Sequence, residues 1–367
     1  FAAWSSFFNI FLKESVGFST AEIGILSGIL PFGTFLILPV WGLLADKYHR
    51  KSMFLLALFL SMAWIQTLLL IDDFHHFIFT LFIFGVFYSP LSPMLDTIAL
   101  DYVEQNPGDS YGEIRLWSSA GWAFSTVVVG YLLQRIDIRF IFPITGGLFL
   151  VNGLIMYFLY QPLKVTKSLA SIQFTHLWKW VFRNPRLMIF IAIIFVYGIL
   201  TAPVMLFINL YYVEIHAQSY HIGYAFAVQA LCELPFFFYG KRILNRFGAR
   251  KVMVFAMAVT MLRMLLYGIT SNPGLAIVIG TMHGVTIGLF LVSVVQQIHE
   301  YIPPAWRATG QSFIYIFYFG VGTALGYVLS GELAELFSVQ KTMLFMACGI
   351  FLLIGFAGLI FYFQKRK

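Results

Sequence analysis

Along this chain, long runs of predominantly apolar residues alternate with short polar stretches. At about 1.5 Å per helical residue, a run of about 20 residues crosses a hydrocarbon layer about 30 Å thick. The runs lack the strict every-second-residue alternation of a membrane barrel. Lipid offers the backbone no water to bond, so each run is predicted to be helical. Twelve are predicted, over 1–12, 20–45, 52–71, 76–104, 112–134 and 140–160, then 187–213, 221–240, 251–270, 273–300, 306–330 and 340–363. The first would span only about 18 Å and reads as a helix cut short at its start rather than a cleaved leader.

Six runs fall on either side of the longest polar stretch. The predicted division is a first six-helix bundle over 1–160, a linker over 161–186 and a second bundle over 187–367. Within the linker, HLWKW (176–180) has the pattern of a short amphipathic helix lying on the membrane surface. GLLADKYHRK (42–51) follows the second predicted helix, and GKRILNRFGARK (240–251) follows the second helix of the second half. Such self-similarity over half the chain is the signature of an internal repeat, although two ordinary basic loops would also share Lys and Arg.

Composition sharpens this picture. The 367 residues are 60% hydrophobic and 11% charged, with mean hydropathy +0.85, against about 25% charged residues in soluble domains. A soluble fold is excluded. The net charge of +7 is a matter of placement. If the loops alternate sides, 18 Lys and Arg gather on one side, while only Lys13, Arg135, Arg139 and Lys341 lie on the other and Arg263 is left inside a helix. Basic residues concentrate in cytoplasmic loops. Both termini are therefore expected on the cytoplasmic face of a bacterial-type inner membrane, and no nucleic-acid partner is needed to explain the charge.

Cys232 and Cys348 both sit in apolar runs, which excludes a disulfide framework. No phosphate-binding loop occurs, so ATP drive is not expected. His75 and His76 follow Asp72 and Asp73 in a polar turn that reads as solvated, and no metal site is expected. Gly320, Gly322 and Gly326 imitate a nucleotide fingerprint with no strand before them, which favours close helix packing.

Charged residues within apolar runs cost several kcal/mol in lipid unless they face a bundle interior or water. Asp96, Glu233 and Arg263 are such residues. Asp96 and Arg115 lie on consecutive helices, where an ion pair or a shared hydroxyl-bearing substrate would satisfy both. Trp122, seven residues after Arg115, returns to nearly the same face and could stack on a ring. In the second half, Glu233, Arg263 and His283 could form a cluster in which a proton on the Glu is exchanged for pairing with the Arg. A static ion pair between two helices is the alternative. Gln229 lies one turn before Glu233, and Asn209, Tyr212 and Asn9 supply further donors. Thr286, Phe290, Ser293 and Gln297 continue the His283 face at helical spacing and suggest a lining stripe.

The loop residues Gly42, Leu44, Asp46, Lys47, Arg50 and Lys51 resemble the signature of the major facilitator superfamily. His49 stands where Gly is usual, and Asn245 replaces Asp in the second copy. The resemblance implies an all-α membrane protein of two pseudo-symmetric six-helix bundles, with Gly42, Asp46, Arg50 and Lys51 in a conformational gate. A narrower likeness runs to lactose permease and its relatives, the phenylpropionate permeases and nucleoside:proton symporters, through SSFFNIFL (5–12), SPMLD (92–96), YGEIRLWSSAGW (111–122), FINLYY (207–212), MHGVTIG (282–288) and RATGQS (307–312). It implies Asp96, Arg115, Trp122 and His283 at the substrate, to which the residue reading adds Asn209 and Gln229, while Glu233, Arg263 and His283 are expected in proton coupling. The paired helix-seven Asp residues of lactose permease are absent here, and Glu233 resembles the Glu of the other two branches.

The expected function is proton-coupled import of a sugar or nucleoside by alternating access. Uptake of an aromatic carboxylate and proton-driven efflux are the alternatives. The expected partners are a small solute and the bilayer. The chain is expected to be a monomer, to use no cofactor beyond the coupling proton, and not to be an enzyme.

Overall fold

The computed structural model describes residues 1–106, 111–160, 183–302 and 314–366. The expected surface helix at 176–180 and the RATGQS segment at 307–312 lie outside the described residues. Among the described residues, twelve helical stretches follow in chain order: α1 (2–16), α2 (Thr20–Lys47), α3 (Arg50–Leu70), α4 (Phe74–Val103), α5 (Tyr111–Leu132), α6 (Ile138–Leu159), α7 (185–214), α8 (Ser219–Phe247), α9 (Ala249–Ile269), α10 (Pro273–Tyr301), α11 (Ile316–Leu336) and α12 (Val339–Arg366). Among the described residues, ten stretches are long and apolar enough to cross a membrane; α1 and α5 are not among them. Helix α1 is short, and α5 carries Glu113, Arg115, Ser118, Ser119, Ser125 and Thr126.

Local sequence sets the helix ends. The Ser19 hydroxyl accepts from the Glu22 amide at 3.1 Å, and the Glu22 carboxylate accepts from the Ser19 amide at 2.9 Å, a reciprocal cap that starts α2. Asn184 and Asn272 cap α7 and α10, each followed by a proline whose missing amide costs nothing at that position. Gly17 and Gly248 end α1 and α8 with φ of 87° and 83°, conformations that glycine alone adopts cheaply. Because Gly248 by itself separates α8 from α9, most of the second basic motif is helical rather than loop.

Four predicted helices are interrupted: α1 at Ser6 and Phe7, α10 at Thr281 and Met282, and α4 and α7 beside prolines. Helix α4 divides at Ser89 and Pro90, where the proline ring forfeits a backbone donor, and α7 divides at Phe207, one turn after the internal Pro203. Wide π-helical turns occupy Phe11–Val16, Gly284–Leu289 and Ile314–Gly322.

We call α1 to α6 the first bundle and α7 to α12 the second. They meet at two glycine crossings, α2 on α11 and α8 on α5, and where α1 meets α7. A methyl on Gly24 of α2 would come within 2.5 Å of the Tyr327 carbonyl oxygen and 3.0 Å of the Gly331 Cα on α11. A methyl on Gly223 of α8 would come within 2.5 Å of the Thr126 carbonyl oxygen on α5, and one on Gly130 of α5 within 3.3 Å of the Gly223 Cα. Lipid drives helices together only weakly, so close backbone approach through small residues supplies the contact. Both crossings lie toward the ends opposite the loops rich in Lys and Arg. There the Thr20 amide and hydroxyl donate to the Glu335 carboxylate at 2.8 and 2.5 Å, and the Tyr131 and Tyr224 hydroxyls meet at 2.8 Å. The bundles are closed at that end. Toward the basic end, by contrast, Gly42 faces open space.

Candidate functional site

Glu233, Arg263 and His283 come together from α8, α9 and α10. Helices α8 and α10 pack backbone to backbone: a methyl on Gly284 would overlap the Cys232 carbonyl oxygen, and one on Gly288 would press on the Phe236 Cβ. This approach occurs in the wide turn just after His283, a distortion frequent at functional sites. Its consequence is that Glu233, next to Cys232, faces His283 across the seam.

His283 Nε2 lies 2.7 Å from Glu233 Oε1, and His283 Nδ1 lies 2.8 Å from Arg263 Nη1. Arg263 also donates from Nη1 to the Thr286 hydroxyl at 3.1 Å and from Nη2 to Gln229 Oε1 at 3.0 Å. The Tyr267 ring supports the guanidinium at 5.4 Å from its centroid. Exposure falls along the chain of bonds, from 22% for the Glu233 side chain to 14% for His283 and 0% for Arg263. The carboxylate is the end open to water and the guanidinium the sealed end.

The expected direct pairing of Glu233 with Arg263 gives way to a bridged arrangement with His283 between them. Donor chemistry then fixes the imidazole. Arginine only donates, so His283 Nδ1 is an acceptor and the ring proton sits on Nε2, directed at Glu233. A second proton on His283 would set two donors against each other at Nδ1. A proton on the outer oxygen of Glu233 leaves every bond of the cluster intact.

The predicted lining stripe is overturned. Thr286, Phe290, Ser293 and Gln297 are all buried inside the bundle, with Thr286 accepting from Arg263, Ser293 donating to the Phe290 carbonyl at 2.7 Å and the Gln297 amide nitrogen donating to Met253 Sδ at 3.2 Å. Asn209 is likewise committed. Its amide donates to the Ser6 carbonyl at 3.1 Å, while Asn9 donates to the Leu206 carbonyl at 2.9 Å, so the two asparagines tie α1 to α7 across the bundles. In this conformation neither is turned toward a solute.

In the first bundle, Asp96 is half-buried on α4 and Trp122 half-buried on α5. The side chains of Arg115 and Asp46 lie outside the described side chains. Arg50 pairs with Asp101 of α4, a partner that sequence reasoning missed, although Asp101 lies near the basic end of the same apolar run as Asp96. Lys51 donates to the Tyr157 carbonyl at 2.8 Å and to that of Tyr160, at the negative end of the α6 dipole. These bonds stay within the first bundle, and a methyl on Gly42 would meet nothing. The polar contacts between the bundles seen here are Thr20–Glu335, Tyr131–Tyr224 and the Asn9 and Asn209 bonds, which no motif announces.

A family model described as "MFS_1 like family" matches residues 1–345. The chain is 25% identical over 363 residues to the uncharacterized transporter YwbF of Bacillus subtilis, covering 98% of this chain and 88% of that one. It is 26% identical over 385 residues to the maltose permease of Geobacillus stearothermophilus, covering 100% and 92%. Its fold matches the crystal structure of the nucleoside transporter NupG with a TM-score of 0.86 at 19% identity, covering 98% and 95%. These relatives are transporters rather than enzymes.

Proposed function

The chain belongs to the MFS_1 like family and is a multi-pass membrane transporter, and on that premise we propose that it imports a small neutral polyhydroxylated solute, a sugar or nucleoside, together with a proton. The bridged arrangement Glu233–His283–Arg263 carries this reading. It offers one proton site, Glu233, at the water-facing end of a chain of bonds anchored by a buried cation. A carboxyl that moves between a wet cleft and a desolvated seam changes its proton affinity, and that change couples the proton to the conformational cycle.

Charge balance bears on the solute. Glu233 and Arg263 offset each other within one cluster, which leaves no unpaired cation there for a substrate carboxylate. Asp96, Arg115 and Trp122 in the first bundle would hold hydroxyls and a ring face. The maltose permease likeness favours a sugar. The basic end is assigned to the cytoplasm of an inner membrane, so the present closure at the opposite end is an inward-facing state. The working unit is taken as the monomer, with no cofactor beyond the proton.

Proteoliposomes test this. An imposed inward proton gradient should fill wild-type vesicles with a sugar or nucleoside found by thermal-shift screening; emptying them instead would indicate efflux. Glu233→Gln should lose the proton-driven accumulation and keep counterflow. Undiminished accumulation by that variant would refute the coupling role.

A further inference from the structure

Beyond Gln229 the cluster does not end in apolar packing. Gln229 Nε2, Arg263 Nε and the hydroxyls of Tyr212 and Tyr267 are buried without a hydrogen-bond partner among the described residues, and all four side chains are more than nine-tenths buried. Tyr211 packs against both Tyr212 and Tyr267, at ring separations of 5.4 and 5.0 Å.

Two of these groups, the Tyr267 hydroxyl and Gln229 Nε2, look onto the missing side chain of Gly280. A methyl there would stand 3.5 Å from the Tyr267 hydroxyl and 3.9 Å from Gln229 Nε2, which is ordinary contact distance. A buried donor left unmade costs about 1–3 kcal/mol, and a buried water is held by about 2–4 polar partners.

We propose that an ordered water molecule occupies the place beside Gly280, accepting from Gln229 Nε2 and bonded to the Tyr267 hydroxyl. The donor-rich lining and the Arg263 charge exclude a metal cation. The water positions Gln229. The amide has to turn Oε1 toward Arg263, because the guanidinium only donates, and the water satisfies the Nε2 that this orientation leaves behind. Gln229 then holds Arg263, and Arg263 fixes the His283 proton on Nε2. Tyr267 and Gly280 thus act as positioning residues for the proton site. The functional part of this inference rests on the coupling role of Glu233, while the site itself does not.

Gly280→Ala is a clean probe, because its methyl meets neighbours at ordinary distances and occupies the water's place. A crystal or cryo-EM map sharp enough to show ordered water should contain density within hydrogen-bond reach of Gln229 Nε2 and Tyr267 in the wild type. That density should be missing in Gly280→Ala, with an otherwise superposable fold. Both Gly280→Ala and Tyr267→Phe should lose proton-driven uptake several-fold more than counterflow. An empty wild-type site, or anomalous bromide signal there in bromide buffer, would overturn the water assignment. Persistent density in both variants would do the same. Glu233→Gln should keep the density, so failure of the water site and failure of the coupling role give different results.

Discussion

Arg263 shows how a buried cation in lipid is made tolerable. Three acceptors, an aromatic face and a carboxylate one imidazole away share its charge. Breaking a buried charged pair costs about 3–5 kcal/mol, because the partner left behind stays desolvated. Arg263→Met should therefore lower the melting temperature by several degrees, and adding Glu233→Gln should recover part of the loss. A double variant no more stable than the single one would show that the two groups are not coupled. The ingredients of this site were legible in the sequence, since ionisable residues stand out in apolar runs. Their order was not, because which of two nearby groups reaches the Arg depends on how closely α8 and α10 pack. For Asn209 the sequence could not distinguish a donor offered to a solute from one spent on a neighbouring helix.

At the scale of elements, glycine sets the distances. GILSG (24–28), GVTIG (284–288) and GTALG (322–326) share the spacing that lets helices touch, and in each a methyl would strike a facing helix. This signal was available, although sequence alone does not say which helix each motif meets. Gly284→Ala should separate α8 from α10 and break the Glu233–His283 bond, lowering both melting temperature and proton-driven uptake. Gly24→Val should hold the bundles apart at the end opposite the basic loops. Combined with Thr20→Cys, it should let a membrane-impermeant maleimide label the introduced thiol faster than in the Thr20→Cys parent, and an unchanged rate would count against the crossing as the closing contact. Asp73 caps α4. Hydrogen bonds from the His76 and His75 amides, at 3.0 and 2.9 Å, and the His76 ring hold its carboxyl below the usual range. A depressed carboxyl contributes stability above its unfolded pKa and loses it as pH falls through the folded value. Melting temperatures of wild type and Asp73→Ala should thus differ at neutral pH and converge in acid.

The whole molecule is a pair of bundles whose contacts are lodged at one end. The order of the helices and the ten spanning stretches among the described residues follow from the lengths of the apolar runs, since lipid leaves a hydrophobic run few choices. The breaks at Ser89–Pro90 and Phe207 and the latch from Thr20 to Glu335 follow from tertiary contact and were not legible. Glu335 bonds the first turn of α2 from the other bundle, so Glu335→Gln should loosen the closed end and speed solute exchange without abolishing it. The most direct measurement is solute-driven proton movement in proteoliposomes with no imposed gradient, read from external pH. Adding solute outside should alkalinise the medium with wild type and leave it unchanged with Glu233→Gln. Equal alkalinisation by both proteins would contradict Glu233 as the proton carrier.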